Sequence, residues 1–253
     1  MLNYLNKYNM KNQKSILLTI LCLVFVVFAV RATVATDIAK ANKSGKAVFL
    51  IITDSSVKSL DNIRKIAEDA QKLQKSSVVI ELDRSAEENK DLVAKYRISG
   101  APVPMIMVIA SNGAVAGGLI ESQATADELV KLIPSKKQAE VLLALNNNKA
   151  VLIVCSSSKM TDKSTVVDEC KKACTELSDK AATVEIDVTD KNEAAFLKQI
   201  NASTTEKETV VYIFNAKGQF TSSVKSPVTS KKLVEGVNKK LGGCCPGGSG
   251  KKC

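Results

Sequence analysis

The chain is 253 residues long, carries 36 lysines and arginines against 26 aspartates and glutamates for a net charge of +10, and contains neither histidine nor tryptophan. That length suits one large domain or two small ones, and an apolar content of 45% is enough to build a core. Without histidine, Ser-His-Asp and Cys-His nucleophile pairs, the HExxH zinc motif and Cys2His2 fingers are excluded; the scattered lysines, not interleaved with aromatics, read as solvated surface with no nucleic-acid face.

The N-terminus carries Lys7, Lys11 and Lys14, then a run from Ile16 to Val30 without a charged residue, then Arg31 and the small-residue stretch ATVAT. A basic start, an apolar middle and small residues after it predict a secretory signal over residues 1–35 and an extracytoplasmic location, periplasmic or secreted. The alternative is an uncleaved membrane anchor through residues 16–30, a run shorter than the roughly 20 apolar residues of a spanning helix. Cleavage would remove four basic residues and Cys22, leaving Cys155, Cys170, Cys174, Cys244, Cys245 and Cys253. An even number of cysteines in an exported chain is what paired disulfides require.

After that segment the chain follows one plan twice, with a period of about 103 residues. VATDIAKANKSG predicts a leading helix. KAVFLIITDSS, from Lys46, reads as a buried strand entering a loop. SLDNIRKIAEDAQKL follows as an amphipathic helix with Leu60, Ile63, Ile66 and Ala70 on one face. Ser55, Ser56 and Ser59 are suited to cap that helix. SSVVIELD is the next strand, NKDLVAKYRI the next helix, and VPMIMVIASNGAVAGGLI a hairpin turning at Asn112-Gly113. TADELVKLI closes the first half. The join falls at PSKKQAEVLLALNNNK, where Pro134 ends one helix, another follows, and the run Asn146 to Asn148 makes a turn. KAVLIVCSSSK, STVVDECKKACTELS, AATVEID, NEAAFLKQI, ETVVYIFNAKGQFTSSV and TSKKLVEGVNKKL then repeat the order, with the second hairpin turning at Lys217-Gly218. The predicted organisation is α/β, with residues 36–134 and 135–241 as two domains and residues 242–253 as a flexible Cys/Gly-rich tail.

This order, with LVAKYRISGAPVPMIMVIASNGAVAGGL in the first half, resembles the thioredoxin fold. The resemblance covers most of residues 36–241 and implies two tandem domains, each a central mixed sheet flanked by helices. It also implies a cis-proline before the third strand, at Pro104 or alternatively Pro102. Thioredoxins work through Cys-x-x-Cys at a helix start, where helix polarity favours the thiolate. The matching stretch of the first half, TDSSVKS, has no cysteine and cannot exchange thiols. In the second half Cys155 and Ser158 give a Cys-x-x-Ser spacing. Alignment of Cys155 with Ile52 puts that thiol in or just beyond the strand, reactive or simply buried, and Thr209 falls where Pro104 stood.

Cys170 and Cys174 lie at i, i+4 on a predicted helix. With Val166 and Val167 they fit its buried stripe. The alternative is that, with Cys244, Cys245 and Cys253, they pair or hold a soft metal, Zn(II) or Cu(I). The tail lacks zinc-knuckle spacing. GGSGKKC is the nearest approach to a phosphate loop and lacks its first glycine, its Ser or Thr, and its helix. No cofactor is expected otherwise. The resemblance implies a partner-binding or scaffolding protein that meets a protein partner or thiol-containing substrate near Pro104. Two alternatives stand beside it: a thiol-disulfide oxidoreductase using Cys155 with the tail cysteines, and a metal-binding protein.

Overall fold

The computed structural model describes residues 33–241. Of the signal expected over residues 1–35 only residues 33–35 are described, with Val34 and Ala35 already in the first helix; the alternative anchor through residues 16–30 and the tail with Cys244, Cys245 and Cys253 lie outside the described residues. Among the described residues no helix is long and apolar enough to cross a membrane.

The first half runs α1 (Val34–Lys43), β1 (Ala47–Thr53), α2 (Asp61–Leu73), β2 (Ser77–Asp83), α3 (Lys90–Tyr96), β3 (Met105–Ile109), β4 (Val115–Ile120) and α4 (Ala126–Lys131). The second runs α5 (Lys136–Asn146), β5 (Ala150–Ser156), α6 (Lys163–Glu176), β6 (Ala181–Asp187), α7 (Ala194–Gln199), β7 (Val210–Phe214), β8 (Phe220–Lys225) and α8 (Ser230–Asn238). Two four-stranded sheets result, ordered β2-β1-β3-β4 and β6-β5-β7-β8. In each, the first two strands are parallel and the remaining pairs antiparallel.

The central strands β1 and β5 are unbroken apolar runs because helices cover both faces of each sheet. Alternation divides each run between two cores. Val48, Leu50 and Ile52 face the layer holding α1 and α3, whereas Phe49 and Ile51 face α2 and α4. In the second sheet Val151, Ile153 and Cys155 pack with α5 and α7, whereas Leu152 and Val154 pack with α6 and α8. Each fully buried aliphatic side chain contributes about 1.5–3 kcal/mol of transfer free energy, so these layers set the fold.

Helix α2 begins at Asp61, later than the serines suggest. The Asp54 carboxylate takes Ser56 out of the helix start by accepting its backbone N–H at 2.9 Å and its hydroxyl. Ser59 alone serves the helix, its hydroxyl accepting the Asp61 N–H at 3.2 Å. Hydroxyls do cap three other starts: Thr125 accepts from Glu128, Ser135 from Gln138 and Thr229 from Lys232.

Helix α5 has two clients. Val141, Ala144 and Leu145 pack into the second sheet's core, whereas Ala139, Leu142 and Leu143 pack on Ala110 and Ala114 of the first hairpin. The small alanines allow a close approach, and polar bonds fix it. Asn112 donates from Nδ2 to the Ala139 carbonyl at 2.8 Å, and the Val115 N–H donates to Asn146 Oδ1 at 2.6 Å.

Candidate functional site

In each half the loop after the central strand meets the segment entering the third strand at one end of the sheet. In the first half Ile52 pairs with Met105, which sets Thr53 beside Pro104. The Val103–Pro104 bond is cis, whereas Pro102 is exposed and is not preceded by a cis bond. A parallel β1–β2 pair with a helical crossover and an antiparallel β3–β4 hairpin beside it, a plan the second half repeats, decide the fold, and in the first half a cis-proline enters β3. Both halves are thioredoxin-like domains.

The second domain reproduces the strand order with a different loop. Cys155 pairs with Val210, so Thr209 occupies the position of Pro104 and Cys155 that of Ile52. The second cis bond, Ser226–Pro227, comes after β8.

What closes each site differs. In the first thioredoxin-like domain Arg84 donates from Nε and Nη2 to Asp54 Oδ2 at 3.0 and 2.7 Å, and from Nη1 to the carbonyls of Ile98 and Ala101 at 3.1 and 2.6 Å. One planar guanidinium thus ties the loop after β1 to the segment leading to Pro104, a geometry lysine cannot supply. The Asp54 and Arg84 side chains are only 15% and 18% exposed. Hydrogen bonds from the Ser56 hydroxyl and N–H, followed by those from Arg84, hold the Asp54 carboxyl below its ordinary range. Ser55 and Ser56 stand exposed where a thiol pair would sit.

In the second thioredoxin-like domain Asp162, just before α6, takes over. Its carboxylate accepts the Thr209 N–H at 3.1 Å and the Thr209 hydroxyl at 2.8 Å, and Thr209 is fully buried. Burial pushes the Asp162 carboxyl up, but the bonds from Thr209 and Ser226 outweigh it and leave the group below its ordinary range. The donor at the β7 entrance is therefore already used.

Cys155 is 2% exposed and packs among Ile186 and Val210. Burial pushes its thiol up to about 12. It lies on the α5/α7 face of the sheet, whereas α6, the helix whose N-terminus would stabilise a thiolate, covers the other. Cys170 is fully buried on that other face, its thiol also pushed up to about 12 by burial and then by Cys174, Glu185 and Glu169. Cys174 is partly exposed, 3.5 Å from the Thr183 hydroxyl. All three thiols are free, and the sheet separates Cys155 from the other two. Among the described residues no three potential ligands converge on a metal position.

Asp54, Arg84 and Asp162 are site residues that sequence reasoning missed. A signal for Arg84 existed: the chain has four arginines, none after residue 97, and this one directly follows the acidic strand end.

No family model and no curated protein matches the chain. Solved structures do. It is similar to the first two thioredoxin domains of Eps1p from Naumovozyma dairenensis, at 10% identity over 80% of this chain and 95% of that one, with a TM-score of 0.30. It is also similar to human ERp44 in its zinc-bound form, at 14% identity over 78% of this chain and 54% of that one, with a TM-score of 0.34. A third likeness is to the NTD_N/C domain of the alkylhydroperoxide reductase AhpF from Enterococcus faecalis, at 14% identity over 80% and 98% of the two chains, with a TM-score of 0.25.

Proposed function

We propose that this is an exported tandem thioredoxin-like protein that binds or scaffolds other proteins, and that its first domain meets them through the surface around Pro104 without thiol chemistry. The observation that carries this reading is the first site itself: its cis-proline entrance is kept and braced by Arg84, while its loop holds Ser55 and Ser56 and no sulfur. A braced, open, thiol-free entrance is suited to recognition. The proposed organisation is residues 36–134 and 135–241 as the two domains, with the tail after them.

Thiol-disulfide exchange through Cys155 and the tail is the alternative. With the thiol at about 12, only on the order of one molecule in a hundred thousand would carry the Cys155 thiolate at pH 7. Exchange would also require the core layer that α5 and α7 pack over Cys155 to open. A soft-metal reading through Cys170, Cys174 and the tail thiols needs Cys170 to leave a fully buried position.

The deciding experiment uses the mature chain with all six cysteines replaced by alanine. It should bind a reduced, unfolded client protein as tightly as the parent, and neither form should reduce insulin. Loss of binding in a cysteine-free chain whose circular dichroism is unchanged would overturn the proposal.

A further inference from the structure

The two hairpin turns that repeat between the domains come together in space. Asn112-Gly113 of the first and Lys217-Gly218 of the second line one cleft of about 920 Å³, with the C-terminal part of α5 and its asparagine run between them. The end of α3 completes the wall with Lys95, Tyr96 and Arg97. This cleft lies away from the Pro104 entrance, because the β3–β4 and β7–β8 turns are at the opposite end of each sheet from the third strand's start.

Its chemistry is one-sided. Lys95, Arg97 and Lys217 are exposed and make no ion pair among the described residues, and no aspartate or glutamate lines the cleft. A second cleft, at the α4–α5 junction, offers the contrast, since Asp190 and Glu193 line it beside Lys131, Lys136 and Lys137. The C-termini of α3 and α5 also point toward the basic cleft. Each contributes about half a negative charge at most, so a cationic excess of about two charges remains. Among the asparagines that also line the cleft, half-buried Val115, Leu142, Leu143 and Leu145 contribute its apolar surface. A volume of this size suits a short segment, not a folded domain.

We infer that this inter-domain cleft is a docking site for an acidic amphipathic peptide segment, whose apolar side chains rest on the α5 leucines while its carboxylates meet Lys95, Arg97 and Lys217. The inference is independent of the Pro104 entrance and of every cysteine. It gives the tandem arrangement a use that neither domain has alone, since each contributes one turn to the wall.

Fluorescence anisotropy on the mature chain tests it, with a labelled peptide in which leucines alternate with glutamates, its twin with lysine in place of glutamate, and a labelled oligothymidylate. The acidic peptide should bind with an affinity that falls as salt rises, and the lysine twin should not bind. The double variant R97E/K217E should lose at least about tenfold in affinity. A control with the same change in net charge at two distant exposed positions, K159E/K207E, should keep the parental affinity. Circular dichroism melts confirm that both variants fold. Equal binding of the two peptides, an equal loss in the control, or no loss in R97E/K217E would overturn the inference. Binding of the oligothymidylate without the acidic peptide would also overturn it and identify a polyphosphate surface instead.

Discussion

Asn89 and Glu193 stand at the same place in the two repeats, immediately before α3 and α7, and both are buried, at 5% and 2% exposed. Asn89 works on the nearby strand end, donating from Nδ2 to the Asp83 carbonyl at 2.8 Å. Glu193 instead reaches the start of α5, the leading helix of its own domain, where its carboxylate accepts the Lys137 N–H at 3.0 Å and the Ser135 hydroxyl. The carboxylate complements the positive end of that helix as well as its free N–H groups. The same position thus anchors a nearby strand end in one repeat and, in the other, the helix that also packs on the first domain's hairpin.

The sites diverge in the same way. Arg84 braces the first entrance from outside the strand pair and leaves its exposed serines open, whereas Asp162 occupies the second by binding Thr209. Equivalent frames therefore leave exposed serines at this end of one domain and a filled position at the same end of the other.

The strongest way to break this comparison is in the cores. Leu50→Ala and Ile153→Ala remove equivalent fully buried side chains, and each should cost about 2–5 kcal/mol. Amide exchange should report the loss mainly in the sheet that carries the change. Equal acceleration in both sheets would mean that the two halves unfold as one unit.

Next come the buried polar contacts. Asp162→Ala strands the N–H and hydroxyl of fully buried Thr209 and should cost about 1–3 kcal/mol by urea denaturation. Glu193→Ala should speed exchange at Lys137 and the first turn of α5, whereas Asn89→Ala should act only within the first domain. Unchanged exchange at Lys137 would remove Glu193 from its anchoring role.

The pH dependence sharpens the same contrast. Asp54 and Asp162 both lie below their ordinary range, so each adds stability that is complete above about pH 4 and disappears as pH falls through its lowered folded value. Asp54→Asn should flatten the acid limb of the first domain's melting profile and Asp162→Asn that of the second. A profile unchanged by either substitution would contradict the assigned interactions.

Thiol labelling should rank the described cysteines without altering stability. In native protein at pH 8 iodoacetamide should modify Cys174 first and leave Cys155 and Cys170 for the denatured state, because burial raises both of those thiols to about 12. Early labelling of Cys155 would revive the exchange chemistry. The smallest effect belongs to the matched surface carboxylates Glu81 and Glu185, which pair with Arg64 and Lys163 at 2.6 and 3.1 Å. Replacing either with glutamine should barely move the melting temperature, and added salt should erase the difference.

Much of the fold is legible in the sequence. Apolar runs of strand length, helical stripes and the turns at Asn112-Gly113 and Lys217-Gly218 are local patterns, and their repetition revealed two α/β domains. The placement of Thr209 at the position equivalent to Pro104 follows from counting along equivalent strands. The boundary of α2 did not follow, because Asp54 competes with the helix for the nearby serine through a bond that its residue type alone does not announce.

The sequence by itself determined the two-domain α/β plan, the absence of histidine chemistry and the lack of a thiol in the first site, since these depend on residue type and short-range period. Only the tertiary structure decided that Cys155 and Cys170 lie on opposite faces of one sheet and that Arg84 reaches Asp54 and the Pro104 segment. It also decided that two hairpin turns about 100 residues apart wall a single cleft. The reason is physical: period fixes which side of an element a residue occupies, but burial, charge pairing and access depend on what the rest of the chain brings to that side.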